Sequence, residues 1–180
     1  MKTTSKLNRL DETILYILSK AQKLGKPDLS RFELMKLVYL IEINAHKYIG
    51  EPFVSEVKFV RDKNGPISIN VYDSAKKLDD MNLIRIIAEE NTEYGYPRHK
   101  HELLKLPQLS FSDSEVVFLN SVLEDYLRLT MSKLKSIAYE TEPMARIQEA
   151  EKKKGIVLKG VPINMDSVPL DEDLLESIMA

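Results

Sequence analysis

Two residues on the second predicted helix have the types and spacing that could support chemistry. Glu42 and His46 are four residues apart, so they share a helix face that Met35 and Tyr39 make otherwise apolar. A buried carboxylate beside an imidazole could act as an acid–base pair or begin a metal site. It could also be a satisfied hydrogen bond or ion pair in the core. We favour this second interpretation, because a metal would need at least one further ligand.

The other two histidines, His99 and His101, lie in a basic run with Arg98, Lys100 and Lys105. On a β-hairpin this run could form a basic wing that contacts DNA phosphates. Four acidic residues lie beside it: Glu89, Glu90, Glu93 and Glu102. Because these acids largely cancel the positive charge, we expect a solvated surface strand.

Composition limits the classes of protein to which this chain could belong. The 180 residues suit one domain, and 26 Lys plus Arg against 28 Asp plus Glu leave a net charge of −2. Because there is no global basic field, any DNA contact would have to be a local patch. The chain has no cysteine, which excludes disulfides, thiol catalysis and Cys-ligated zinc.

Catalytic and membrane signals are absent from the sequence. It contains no serine-nucleophile signature, no paired acids at a recognisable spacing and no Gly-rich phosphate loop. We therefore expect no enzymatic activity, no cofactor and no bound metal. The N-terminus lacks an apolar core of signal-peptide length, and no apolar run approaches the roughly 20 residues of a membrane span. We expect a cytoplasmic protein without membrane association.

The elements that must position these residues are mostly helices. Periodicity and capping residues predict helices at residues 11–24, 31–49 and 67–78, after Ser112, after Thr130 and at 143–155. Strands are predicted at residues 57–61, 81–88 and 98–106, the last two forming a β-hairpin. On the second helix Glu33, Lys36, Asn44 and Lys47 form one polar stripe. We expect that stripe to face solvent and the rest of the helix to lie in the core.

The stretch KNGPIS, residues 63–68, connects a predicted strand to a predicted helix. Gly65 can adopt a positive φ without steric cost, and Pro66 fixes its own φ near the helical value. We therefore interpret the stretch as a sharp joint that places Pro66 in the first turn of the next helix. It lacks the repeated glycines of a phosphate cradle.

The order of elements indicates an α+β, mainly helical fold, in which a helical core carries a small β-hairpin in a winged-helix-like arrangement. We expect a flexible N-terminus at residues 1–9, one domain at 10–154 and a C-terminal tail at 155–180. The tail ends in an acidic amphipathic segment whose apolar residues are Leu170, Leu174, Leu175 and Ile178. This segment could dock on its own domain, which we favour, or bind a partner.

Three segments carry recognisable motifs, and they follow one another along the chain: LMKLVYLIEINAHKYIGEPF, then FVRDKNGPI, then LKSIAYETEPM. Lys36, Leu37 and Tyr39 give a Lys-Leu-hydrophobic-Tyr run on a core helix, and Gly65 and Pro66 give a Gly-Pro-hydrophobic turn before the next helix. With these motifs the chain resembles the SocA-like antitoxin family, also called the Panacea domain. The resemblance spans roughly residues 11–149.

The chain departs from the family pattern at several positions. Asn64 stands where the family usually has an aromatic residue, and Ala138 and Tyr139 stand in place of its late Thr-His pair. Met144 replaces the Trp of that late motif. The late motif is retained mainly as Glu140 and Pro143. The chain is therefore similar to a divergent member of the family.

The resemblance implies a bacterial or phage-borne cytoplasmic antitoxin that binds a protein toxin encoded nearby, as in a type II-like toxin–antitoxin system. Members are paired with many unrelated toxins, so the domain alone does not name the partner. Two other functions stay open: a winged-helix-like DNA-binding regulator, which the basic hairpin motivates, and an adaptor that hands a client to a protease. A homodimer also stays open.

Overall fold

The computed structural model describes residues 6–90 and 97–169 of the chain. Its helices are α1 (Arg9–Lys23), α2 (Arg31–Tyr48), α3 (Ile69–Asp80), α4 (Asp113–Tyr126), α5 (Met131–Glu140) and α6 (Glu142–Lys154), followed by a short 3₁₀ helix (Met165–Ser167). Its strands are β1 (Asp28–Ser30), β2 (Val60–Asp62), β3 (Gly65–Ile67), β4 (Ile84–Glu89) and β5 (Arg98–Leu103). The expected class, α+β and mainly helical, is confirmed, and the winged-helix-like arrangement stays an inference.

Helix α2 runs through the core, and its residues 34–43 are all buried. It begins with a capping box, in which the Ser30 hydroxyl accepts from the Glu33 amide at 3.1 Å and the Glu33 carboxylate accepts from the Ser30 amide at 2.8 Å. Gly50 follows the last turn with a φ of +83°, and its amide donates to the Ala45 carbonyl at 3.0 Å. The predicted start and end of this helix are confirmed.

Other helix ends follow local capping chemistry in the same way. Thr130 caps α5 by accepting from the Lys133 amide, and Gly155 ends α6 in the left-handed conformation. Helix α1 begins at Arg9, two residues earlier than predicted, because Asn8 forms a capping box with Asp11. That cap was missed because residues 1–9 read as uniformly polar.

The prediction for Pro66 is wrong: it lies in strand β3 and not in a helix. Strands β2 and β3 form a hairpin in which Asp62 pairs with Gly65 and Arg61 pairs with Pro66. A proline is tolerated there because a two-stranded ribbon leaves it at an edge, where its missing N–H breaks no ladder bond. The following helix starts at Ile69, after Ser68. The joint is therefore a hairpin followed by a helix.

The predicted hairpin of β4 and β5 is confirmed, with Ile84 opposite Leu103 and Ile86 opposite His101. Strand β5 ends at Leu103, short of the predicted residue 106, and its other edge pairs with β1, where Leu29 lies opposite His101. The sheet order is β1-β5-β4. Strand β1 was not predicted, because three residues are too short to show a period. The expected hairpin tip at residues 91–96 lies outside the described residues.

None of the helices within residues 6–90 and 97–169 is long and apolar enough to cross a membrane.

Candidate functional site

The three family-like segments meet at one place, which we call the motif junction: Lys36 of α2, Gly65 and Pro66 of β3, and Tyr139 of α5. The Lys36 Nζ donates to the Pro66 carbonyl at 2.9 Å. Gly65 has a φ of +106°, and a methyl group built on it would lie 3.3 Å from both Lys36 Nζ and the Tyr139 ring. A glycine is required there by backbone conformation and by the close approach of both side chains.

Lys36 is fully buried, so its expected place on a solvent-exposed stripe is wrong. The hairpin of β2 and β3 and helix α5 cover that face of α2, whereas Glu33, Asn44 and Lys47 of the same stripe remain partly exposed. Burial, together with the nearby cation of Lys135, lowers the pKa of Lys36 from 10.5 to about 7. The Phe32 ring lies 4.4 Å from Nζ and contributes a cation–π contact.

Tyr39 ties the centre of α2 to the connection between α5 and α6. Its hydroxyl shares a hydrogen bond of 2.8 Å with the Thr141 hydroxyl, and Thr141 in turn donates to the Ala138 carbonyl at 2.6 Å. Burial raises the pKa of Tyr39, so the group stays a neutral phenol. Of the late motif, Pro143 is buried here and Glu140 is exposed.

An ion pair between the hairpin and α6 closes the motif junction on one side. The Arg61 guanidinium donates to both oxygens of Glu151, at 2.9 and 3.2 Å, and to the Tyr139 hydroxyl at 2.9 Å. This bidentate hydrogen bond with Arg61 lowers the pKa of Glu151. The pair could not be predicted from the sequence, because its members are ninety residues apart and no local pattern links them.

Glu42 is held by the backbone and not by His46. It is buried, and its Oε1 accepts from the Val54 amide at 2.8 Å. Burial raises the pKa of Glu42 to about 7, because its effect outweighs the opposing effect of backbone hydrogen bonds from Val54 and Phe53. His46 is half-buried, and its pKa is lowered by burial. Within residues 6–90 and 97–169 no group of three His, Asp or Glu side chains could hold a metal ion.

The expected solvated strand is wrong for His101, which is 2% exposed. Its neighbour Lys100 forms an ion pair with Glu89 at 3.1 Å, and the Arg85–Glu102 pair spans the same two strands at 3.7 Å. Of the expected basic wing, the charge of Lys100 is therefore matched by an acid of the same hairpin.

A second feature is an open groove of about 880 Å³ between the end of α2, the loop after it and α4, here called the α2–α4 groove. Val117 and Ile49, which line it, are 68% and 47% exposed. Arg9 packs over the Phe53 ring at 4.2 Å and forms an ion pair with Glu115. Other residues of the groove are Tyr48, Glu51, Pro52, Phe118, Asp125 and Tyr126.

Part of the expected C-terminal tail packs on the domain. The Arg61 amide donates to the Val161 carbonyl at 2.8 Å, and the Ile163 amide donates to the Phe59 carbonyl at 2.9 Å. Ile163 is buried. The tail residues proposed to bind a partner, Leu170, Leu174, Leu175 and Ile178, lie outside the described residues.

Together these features define a mainly helical α+β domain that is organised around one buried helix and a buried polar junction. The family model for the SocA-like antitoxin, Panacea domain, matches residues 34–143, which is more than half of the chain. The protein belongs to this family, and the motif residues from Lys36 to Pro143 lie inside the match. No curated protein and no solved structure matches the chain significantly.

Proposed function

We propose that this protein is an antitoxin that neutralises a cognate protein toxin by binding it directly, as the non-enzymatic half of a type II-like toxin–antitoxin system. The observation that carries the proposal is membership of the SocA-like family across residues 34–143. The proposal includes a cytoplasmic location in a bacterium or one of its phages, and a toxin encoded beside this gene.

The α2–α4 groove is the surface that we assign to the toxin. Its exposed Val117 and Ile49, together with Phe118, supply apolar contact area, and Glu51 and Asp125 add acidic groups. Apolar surface with a charged border is the usual composition of a protein-binding site. A segment with an apolar face and basic flanks would fit it best.

The motif junction has a different part in this proposal. The Lys36 ammonium donates to the Pro66 carbonyl, and the Lys36 and Tyr139 side chains both lie against Gly65, so these contacts hold α2, the β2–β3 hairpin and α5 in a fixed arrangement. Surface residues outside the junction are then free to differ between proteins with different toxins. This division would let one scaffold serve many partners.

The DNA-binding alternative receives less support from the described residues. In a winged-helix arrangement α3 would be the helix presented to DNA, but its charged residues are three Asp and two Lys. On the hairpin, Lys100 and Arg85 are already paired with Glu89 and Glu102. A gel-shift series starting at low salt tests this alternative, because phosphate contacts strengthen as salt falls.

The proposal is tested by co-expression with the product of the neighbouring gene, reading both growth and complex formation. Val117→Glu should abolish rescue of growth and lower the recovery of complex, since a carboxylate would be buried in an apolar contact. Ile69→Glu is the matched control, because Ile69 is 65% exposed and lies outside the groove. We expect Ile69→Glu to behave as the unmodified protein does.

Other outcomes would redirect or end the proposal. Full rescue by Val117→Glu would remove the groove as the toxin site, and Leu174→Glu with Leu175→Glu would then test the tail. A neighbouring product that is neither toxic alone nor bound by this protein would contradict the antitoxin function itself.

A further inference from the structure

A cavity of about 560 Å³ lies between α3 and one face of the hairpin of β4 and β5, and we call it the α3–β4 cavity. The strand register places Ile86 opposite His101 and Ala88 opposite His99, so these four side chains share the face that lines the cavity. Arg31, the first residue of α2, and Tyr72 of α3 also line it.

His101, which lines this cavity, carries a buried nitrogen without a partner among the described residues. The side chain is 2% exposed, and its Nδ1 has no hydrogen-bond partner within the described residues. A hydrogen bond to the Leu29 backbone raises the pKa of the ring, but burial outweighs it and lowers that pKa to about 4. The imidazole is therefore neutral near pH 7, and with its proton engaged by Leu29 the Nδ1 offers a lone pair.

Arg31 supplies the complementary group. Its Nε is buried and, within the described part of the chain, also lacks a hydrogen-bond partner. The guanidinium is centred 5.0 Å from the Tyr72 ring, a cation–π contact that holds it beside the cavity wall. It lines the cavity together with His99 and His101, and its charge lowers the pKa of both imidazoles. Arginine can only donate, so Arg31 requires an acceptor.

The charges around the cavity indicate a neutral occupant. Arg31 and Lys76 are balanced by Asp73 and Asp79. Asp79 is already an acceptor for the Ile86 amide at 3.0 Å, and Lys76 forms an ion pair with Asp80 at 3.4 Å. An anion would face these carboxylates, and a cation would face Arg31. A neutral group with a donor beside an acceptor satisfies both unpartnered atoms.

We propose that the α3–β4 cavity binds an amide group, whose carbonyl oxygen accepts from Arg31 Nε and whose N–H donates to His101 Nδ1. Neither a carboxylate nor a ketone offers both atoms, because each is only an acceptor at neutral pH. The amide could belong to a small molecule or to the side chain of Asn or Gln in a peptide. This proposal does not depend on the toxin-binding assignment above, which concerns a different groove.

The test is a titration of the whole protein with benzamide, benzoate and acetophenone, followed by proton–nitrogen NMR correlations of the histidine rings. Benzamide should shift the Nδ1 signal of His101, with a dissociation constant of about 1 to 10 mM for a ligand of this size. The other two probes, which lack an amide N–H, should bind at least about tenfold more weakly. Equal or tighter binding of benzoate would overturn the proposal in favour of an anion site.

Variants separate a built site from weak surface contact. Ala88→Phe should block the cavity and remove the benzamide shift, whereas Ile87→Phe, which points to the other face of β4, should retain it. Both positions are partly or fully exposed, so folding should survive either change. Arg31→Lys keeps the charge and removes the Nε donor, and it should weaken benzamide binding at least about tenfold.

The source of the amide is distinguished by a second probe, N-acetylglutamine methylamide, compared with N-acetylglutamate methylamide. Tighter binding of the glutamine probe than of benzamide would support a protein side chain as the natural occupant, and the reverse order would support a small molecule. If no amide probe shifts His101, or if Ala88→Phe leaves the shift unchanged, the cavity holds only water and the proposal fails.

Discussion

The buried lysine of the motif junction gives a prediction that can be worked through in full. Lys36→Met removes the ammonium group but retains a side chain of similar length. It also removes the hydrogen bond to the Pro66 carbonyl, which lowers the stability of the variant. The effect of the ammonium can be recognised by its pH dependence, because the pKa of Lys36 falls from 10.5 to about 7 in the folded protein.

The sign of the pH dependence follows from which state binds more protons. Between pH 7 and 10.5 the unfolded chain keeps this lysine charged, while the folded protein releases the proton. Stability therefore rises with pH across this window, by at most about 1.4 kcal/mol per pH unit. Integrated from pH 7 to pH 9.5, the contribution is about 3 kcal/mol, as an upper limit. Below pH 7 both states are protonated and the contribution is constant.

The assay is urea unfolding of the unmodified protein and Lys36→Met at half-unit steps from pH 7 to pH 9.5. The upper limit avoids the titration of tyrosines, since burial raises the pKa of Tyr39 in the folded state. The difference in unfolding free energy should grow with pH by about 2 to 3 kcal/mol. Lys133 lies on the exposed part of α5. The unfolding free energy of Lys133→Met should therefore change with pH in the same way as that of the unmodified protein. Parallel profiles for Lys36→Met as well would refute the burial of an ammonium at this position.

Two further changes test the core and the junction. Glu42→Gln should be more stable than the unmodified protein above pH 7, because the raised pKa of Glu42 removes up to about 3 kcal/mol of stability between pH 4.5 and 8. Urea unfolding across that pH range checks this prediction. The same dependence of unfolding free energy on pH in both proteins would contradict it. Gly65→Ala should cost about 2 kcal/mol, or roughly 4 to 8 °C in melting temperature, through its positive φ and the contact with Lys36. Gly25→Ala, with a φ of +83° and nothing within 4 Å, should cost about half as much; similar losses at both glycines would remove the contact from the explanation.

Features that depend on contacts within a few residues could be predicted from the sequence, whereas features that depend on contacts between distant segments could not. Helix ends were predicted well where one residue caps its own helix, as Ser30, Thr130 and Gly155 do. The chemistry of a cap involves residues within one turn, so it can be read from the local sequence. The family motifs likewise located the junction by residue type before any contact was known.

Errors arose where a distant segment covers a surface. The polar stripe of α2 was expected in solvent because its spacing is correct for an exposed face. Lys36 is nevertheless buried, because a hairpin about thirty residues later and a helix about a hundred residues later pack on that side. His101 followed the same pattern, since strand β1 and the start of α2 enclose it. The hydrophobic period of an element does not show which distant segment packs on it, and the three residues of β1 are too few to show a period.

The buried ionisable groups Glu42, Lys36 and His101 each change how the stability of the protein depends on pH. Glu42 makes the fold less stable as pH rises toward 7, and Lys36 makes it more stable as pH rises above 7. His101 acts against Glu42 on the acid side, because its lowered pKa means that stability is lost as pH falls from 6.5 to about 4. The contributions of Glu42 and His101 therefore oppose each other on the acid side, and the contribution of Lys36 raises stability above pH 7. The burial of these ionisable groups lowers the stability of the fold at some pH values, and the buried ammonium of Lys36 in return donates the hydrogen bond that links α2 to the β2–β3 hairpin.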